Sequence, residues 1–312
     1  MNLRWTSSPP LIRPPADGPG ALISVKDPTV VRFGDRWHVY ATSFSATKGY
    51  NMVYTSFENW DEAAQAPLQP MATTPGFDTY VAAPQLFFFT PQKKWYLIFQ
   101  SGPPMFSTAD QPDDPSAWTR PRPLFAVTPD IIEKNGGWLD FWVICDAEHC
   151  HLFFSDDRGR WYRSKTRVAD FPLGFGPPEI VLEDAEAGRV YEASNVYKLK
   201  GSGGYLALIE AFDASSQGRR YFRSWTADSL DGPWRPWHEG GAAPFAGARN
   251  VSFMGDAWTA DISHGEMLRA GYDEKLELDP CRLCYLFQGF APSVDPTNYN
   301  DIPWQLGLLT QQ

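Results

Sequence analysis

The chain has 312 residues, 43% of them apolar and 15% aromatic, enough to bury a large core and too ordered a composition for a disordered protein. With 27 Lys and Arg against 37 Asp and Glu the formal charge is −10, and no basic run stands out, which argues against a phosphate-backbone partner. No stretch of 18 apolar residues is present, so no membrane-spanning helix is expected.

In chain order, the first twenty residues are rich in Pro and Gly and read as an irregular N-terminal extension. They contain no apolar run of signal-peptide length, so the protein is expected as a mature secreted form, with a cytoplasmic location not excluded. The first clear element is a hairpin. Thr29-Val30-Val31-Arg32-Phe33 is β-branched and apolar, Gly34-Asp35 is a turn signal, and Trp37 to Thr42 reads as the returning strand. Leu86 to Gln100 repeats the pattern with a turn at Pro91–Lys94, His151 to Arg163 with a turn at Asp157–Gly159, and Asn195 to Ala211 with a turn at Gly201–Gly204. A last region, Asp256–Gly289, carries two more apolar runs. Helical periodicity is confined to short pieces such as Asp61–Ala66 and Ile131–Lys134.

Hairpin centres therefore fall near residues 35, 93, 158, 203 and 270. A spacing of roughly sixty residues and about five units predict an all-β, five-bladed β-propeller made of one catalytic domain over residues 1–312. A β-sandwich would also supply many short strands, but rarely repeats a hairpin so evenly.

In a propeller the inner strands converge on a channel, and carboxylates brought there from distant segments have few charge partners. Three acids sit in unusual company. Asp27 lies in Lys26-Asp27-Pro28, Asp140 in the apolar run Gly136 to Ile144, and Glu192 in Val190-Tyr191-Glu192-Ala193. Each alone reads as a strand-edge carboxylate. One per hairpin unit, they read as a glycosidase set, since glycoside hydrolysis needs two carboxylates in different protonation states.

Arg220 and Arg223 can pair with such acids or serve blade packing equally well. Trp304 reads as structural, whereas Tyr299, in the Pro/Asn/Asp-rich segment Ala291–Pro303, reads as a platform for a sugar chain. Cys145 and Cys150 bracket a hairpin turn where a cross-strand disulfide can form, and Cys281-Arg-Leu-Cys284 is a lone CxxC. Buried, unpaired thiols are the reading taken for both pairs.

Several motifs, in order, resemble glycoside hydrolase family 62: Ser24-Val-Lys-Asp-Pro-Thr-Val-Val31, Ala83-Pro-Gln-Leu-Phe87, Leu139-Asp140, Tyr191-Glu-Ala193, Arg220-Tyr-Phe-Arg-Ser224, Asp261-Ile-Ser-His-Gly-Glu266 and Asn298-Tyr-Asn-Asp-Ile-Pro-Trp304. The resemblance implies a five-bladed propeller acting as an inverting α-L-arabinofuranosidase on arabinoxylan, or also on arabinan. Asp27 would be the general base and Glu192 the general acid, while Asp140 would orient the sugar and raise the pKa of the acid. Lys26 and Tyr299 would line the arabinose pocket. His264 would stand near a channel calcium ion held largely by water, with no organic cofactor. A monomer with a polysaccharide partner, no nucleic acid and no membrane is expected.

An inverting pair should stand roughly 6.5–9.5 Å apart to admit a water. The family's aromatic residue shortly after the second hairpin is missing: Gln100-Ser-Gly-Pro-Pro104 stands there. Two competing readings are another five-bladed propeller glycosidase, of β-xylosidase or arabinanase type, and a non-catalytic carbohydrate-binding propeller.

Overall fold

Runs of alternating β-branched and aromatic residues, broken by Gly, Pro and Asp, pair locally into antiparallel meanders. In the computed structural model, which describes residues 3–18, 20–295 and 297–312, five such sheets form the blades of a β-propeller. Blade 1 contains Ser24–Phe33, Arg36–Ser45, Gly49–Phe57 and Gln69–Pro70. Blade 2 runs from Ala82–Phe89 to Arg122–Pro123, and blade 3 from Leu139–Cys145 to Glu179–Glu183. Blade 4 runs outward from Glu192–Leu199 to Arg235–His238 and gains Glu277–Leu278 as a parallel strand beside its inner strand.

Blade 5 closes the ring with both ends of the chain. Its inner strand Ser263–Met267 is followed outward by Cys284–Gly289, the C-terminal Gln305–Gln311, the N-terminal Trp5–Ser7 and Val251–Phe253. Part of the segment expected as an irregular extension is thus a strand. Trp5 is fully buried, and its indole donates to the Phe245 carbonyl at 2.7 Å. Among the described residues helix is limited to one α-helical stretch, Asp130–Asn135, and 3-10 turns such as Trp60–Gln65, close to the two short pieces expected.

The five hairpins seen in the sequence are not all equivalent. The turn at Asp157–Gly159 joins the second and third strands of blade 3. The counterpart of the other turns lies at Asp146–Glu148, between Leu139–Cys145 and His149–Ser155. Cys145 and Cys150 are directly opposed across that hairpin and form a disulfide, so the expectation of unpaired thiols is corrected there. Cys281 and Cys284 are free, but neither is buried as expected: Cys281 is exposed and Cys284 only partly covered.

What positions the site is the behaviour of the inner strands, each of which leaves most of one backbone edge unpaired by its own sheet, blade 4 pairing only Lys198 and Leu199 there. Side chains from the preceding blade fill that edge. The Gln85 amide donates to the Val143 carbonyl and accepts the Val143 N–H, both at 2.7 Å. Thr29 Oγ1 accepts the Leu86 N–H at 2.9 Å, the Trp142 indole donates to the Val196 carbonyl at 2.8 Å, and Tyr197 OH accepts the Met267 N–H at 2.9 Å. Glu266 accepts from Thr29 Oγ1 and the Val30 N–H, which ties blade 5 back to blade 1.

The Gln85→Leu variant should therefore lose on the order of 3 kcal/mol, because two buried backbone groups are left without partners. Denaturant unfolding measures this, and a loss within 0.5 kcal/mol of zero, about the scatter of surface substitutions, would show that the bridge is dispensable.

Candidate active site

Near its N-terminal end, each inner strand carries one irregularity. In blades 1 to 4 two residues oppose one on the neighbouring strand: Asp27-Pro28, Ala83-Pro84, Asp140-Phe141 and Ala193-Ser194. The first residue of each pair is left-handed, with φ of 48°, 50°, 57° and 52°. In blade 5 the irregularity falls at His264. These are β-bulges, which end regular pairing and re-aim a side chain. Pro28 and Pro84 suit them, since a bulge needs no ladder donor there. Asp27, Asp140 and His264 are thereby turned together at one mouth of the channel, and Glu192 is the residue just before the bulge of blade 4, in the register of Lys26.

His264 is the hub. Its Nδ1 lies 3.2 Å from Asp27 Oδ1 and 3.8 Å from Asp140 Oδ2. Asp140 Oδ2 also accepts the Ala193 N–H at 2.8 Å, which fixes it beside Glu192. Lys26 Nζ lies 3.3 Å from Asp27 Oδ2 and donates to Tyr299 OH at 3.0 Å, with the Tyr299 ring centroid 4.7 Å away. The Asp27 N–H donates to Gln288 Oε1 at 2.6 Å. Arg220 donates to Glu192 Oε1 at 2.5 Å and to Glu210, while Glu210 Oε2 accepts from the His264 N–H at 2.7 Å and Ser263 Oγ at 3.0 Å. Asp27 and Glu192 are therefore joined through His264, Asp140, Glu210 and Arg220.

The electrostatics follow from burial and these partners. Burial opposes charge on Asp27, but Lys26 and His264 outweigh it and hold the carboxyl well below the usual carboxylate range. Asp140 is pushed up to about 7, by burial first and then by the neighbouring Glu192 and Asp27 charges, against the pull of His264. His264 is raised to about 9: burial lowers it, but Asp140, Asp27 and Glu210 more than offset that. Glu210 is raised as well, by burial first and then by the neighbouring Glu192 charge, against the pull of Arg220.

All six residues singled out in the sequence are brought together. Tyr299, 37% exposed, stands at the rim in a 3-10 turn, and Trp304 is buried against Phe290, as expected for a structural residue. Of the two ambiguous arginines, Arg220 is part of the cluster. Arg223 instead donates to the Arg189 carbonyl and sits 3.6 Å from Asp184. Glu210 was missed, although Leu208-Ile209-Glu210-Ala211 carries the same signal as Asp140, a carboxylate inside an apolar strand.

Among the described residues no three His, Cys, Asp or Glu side chains form a metal-binding set. The carboxylates around His264 are already engaged with Lys26, Arg220 and backbone N–H groups, so this chain alone does not supply the six to eight oxygens of a calcium shell.

A five-bladed propeller with buried acids of separated protonation state at its channel mouth defines a glycosidase-type protein. The model of glycosyl hydrolase family 62 matches residues 4–310, and the chain belongs to that family. It is 45% identical over 310 residues to the curated alpha-L-arabinofuranosidase C of Cellvibrio japonicus, covering 98% of this chain. It spans about half, 47%, of that relative's length. Among solved structures, the catalytic domain of a family 62 alpha-L-arabinofuranosidase from Coprinopsis cinerea superposes with a TM-score of 0.96 at 47% identity, covering 100% of this chain and 98% of that one. A family 62 hydrolase in complex with xylotriose gives 0.94 at 43% identity, covering 99% and 97%.

Glu210 is fully buried and depends on Arg220 for its charge balance. Arg220→Met should cost about 3–5 kcal/mol by leaving that carboxylate unpaired, and Glu210→Gln in the same chain should restore part of the loss. Equilibrium unfolding of the single and double variants tests it. A double variant no more stable than Arg220→Met would refute the pairing argument.

Proposed function

We propose that the protein is an inverting α-L-arabinofuranosidase that removes arabinofuranose branches from arabinoxylan. The observation that carries this reading is the gathering of Asp27, Asp140 and Glu192 around His264 and Arg220 in a family 62 chain. The xylotriose complex of a 43% identical hydrolase supports a xylan backbone as the polymer. Arabinan remains within the proposal as a second polymer.

In the proposed mechanism Asp27, kept ionised by Lys26 and His264, takes a proton from a water on one face of the sugar. The water oxygen bonds to the anomeric carbon as the bond to the xylosyl oxygen breaks, and Glu192 gives its proton to that leaving oxygen. Arg220 occupies Glu192 Oε1, which leaves Oε2 to carry the proton. Asp140, fixed by the Ala193 N–H and within Coulombic reach of Glu192, orients the sugar and modulates the acid. Lys26 and Tyr299 hold arabinose hydroxyls. We also place the enzyme outside the cell as a monomer; the Cys145–Cys150 disulfide suits an oxidising compartment.

Proton NMR of arabinoxylan digestion is the direct test. It should show arabinose leaving as the inverted anomer, with Asp27→Asn and Glu192→Gln each slowing turnover at least a thousandfold in folded protein. Near-normal kcat in either variant would remove its assigned role. Sugar binding without any arabinose release by the unmodified protein would favour a binding propeller.

A calcium ion near His264, were one bound, would be held largely by water, since the carboxylates there are already engaged, and no step above passes through it. EDTA should lower Tm, with recovery on adding calcium. An unchanged Tm would exclude the ion.

A further inference from the structure

The rim residue Tyr80 has no part in the chemistry above, yet it is 43% exposed and tightly held beside the site. Its hydroxyl accepts from Gln100 Nε2 at 2.6 Å, and its carbonyl accepts from Ser101 Oγ at 2.6 Å. The other end of the same Gln100 amide accepts the Asp140 N–H at 3.1 Å. The Tyr80 ring meets Tyr50 edge-on at 6.0 Å and 84°, and Tyr50 OH donates to Asn300 Oδ1 at 2.6 Å, next to Tyr299. An exposed aromatic ring is thus fixed from two sides, two hydrogen bonds away from Asp140.

A large exposed ring immobilised before binding loses little freedom when a ligand lands on it. Its apolar face suits the C–H face of a pyranose, while the surrounding amides suit the hydroxyls at the sugar's edge. Xylopyranose has no hydroxymethyl group, so both of its faces are flat enough to stack. The polymer that presents arabinose to Asp27 and Glu192 must cross the rim, and Gln100-Ser101-Gly102, the segment that lacks an aromatic residue of its own, holds Tyr80 in place there instead.

We propose that Tyr80 is the stacking platform for the xylopyranose backbone, and so a specificity-determining residue for the polymer. This rests on the arabinoxylan reading of the site. Gln100 and Ser101 are its positioning residues.

The test compares kcat/KM on arabinoxylan with kcat/KM on 4-nitrophenyl α-L-arabinofuranoside, which has no xylan backbone. In Tyr80→Ala the polymer-to-aryl ratio should fall about tenfold, mainly through KM. In Tyr80→Phe, which keeps the ring and loses the hydroxyl, it should stay within about twofold. Calorimetric binding of xylohexaose, which carries no arabinose, should weaken about tenfold in Tyr80→Ala. An unchanged ratio with unchanged xylohexaose affinity overturns the platform and leaves the hydrolase reading standing. Equal losses on both substrates also overturn it, since the ring would then act only through Gln100 on Asp140. Xylohexaose binding that depends on Tyr80 in a protein that releases no arabinose would do the reverse: the platform stands and the hydrolase reading falls.

Discussion

Five inner strands, each with a largely open backbone edge, ring one channel, and the structure depends on how those edges are satisfied. An unpaired buried N–H or C=O costs about as much as a lost hydrogen bond, and an open edge invites foreign strands. Here the edges are closed by side chains: Thr29, Gln85, Trp142, Tyr197 and Glu266 each reach a backbone group of an adjacent blade. Arg269 adds bonds to the carbonyls of Val30 and Leu86, so blades 1, 2 and 5 share one buried ion pair with Glu266. Bonds that cross between blades make the ring stiff where a site must be held to within fractions of an ångström.

The same strands break their own pairing nearer the mouth. A left-handed residue that is not glycine costs on the order of 1–3 kcal/mol and persists only when its surroundings over-determine it. The ring supplies that constraint four times, at Asp27, Ala83, Asp140 and Ala193. Two of these positions are alanine, so the bulge belongs to the fold. Two are aspartate, where the fold's irregularity has been given a carboxyl to aim.

This division explains what could be read from the sequence. Asp27, Asp140 and Glu192 were legible because a carboxylate in an apolar strand demands a reason, and the hairpin rhythm gave the blade number. The bulges were not legible. One extra residue in a period-two pattern looks like the ordinary noise of a strand, and the turn at Asp157–Gly159 could be equated with the wrong hairpin for the same reason. Trp5–Ser7 was hidden because a three-residue strand has no periodicity of its own; its partners lie at Val251–Phe253 and Leu309–Gln311, at the far end of the chain. Arg220 stayed ambiguous because its partner Glu210 lies on the neighbouring strand, a relation that only register reveals. Tyr80 lies outside any strand, where nothing in the sequence separates a rim aromatic from a loop residue.

Charge counting then explains why the mouth is more than a cluster of acids. Asp27, Asp140, Glu192 and Glu210 face Lys26, Arg220 and His264, so four carboxyls meet three cations. Buried charge is tolerated only when it is compensated, and here one carboxyl has no cation of its own. Asp140 is raised to about 7 by burial and by its neighbours Glu192 and Asp27, while its cation His264 is shared. An acid–base pair works only where one carboxyl can hold a proton beside another that stays ionised. The imbalance of one charge favours a proton held at the mouth, which the proposed mechanism delivers through Glu192 with Asp140 beside it as modulator.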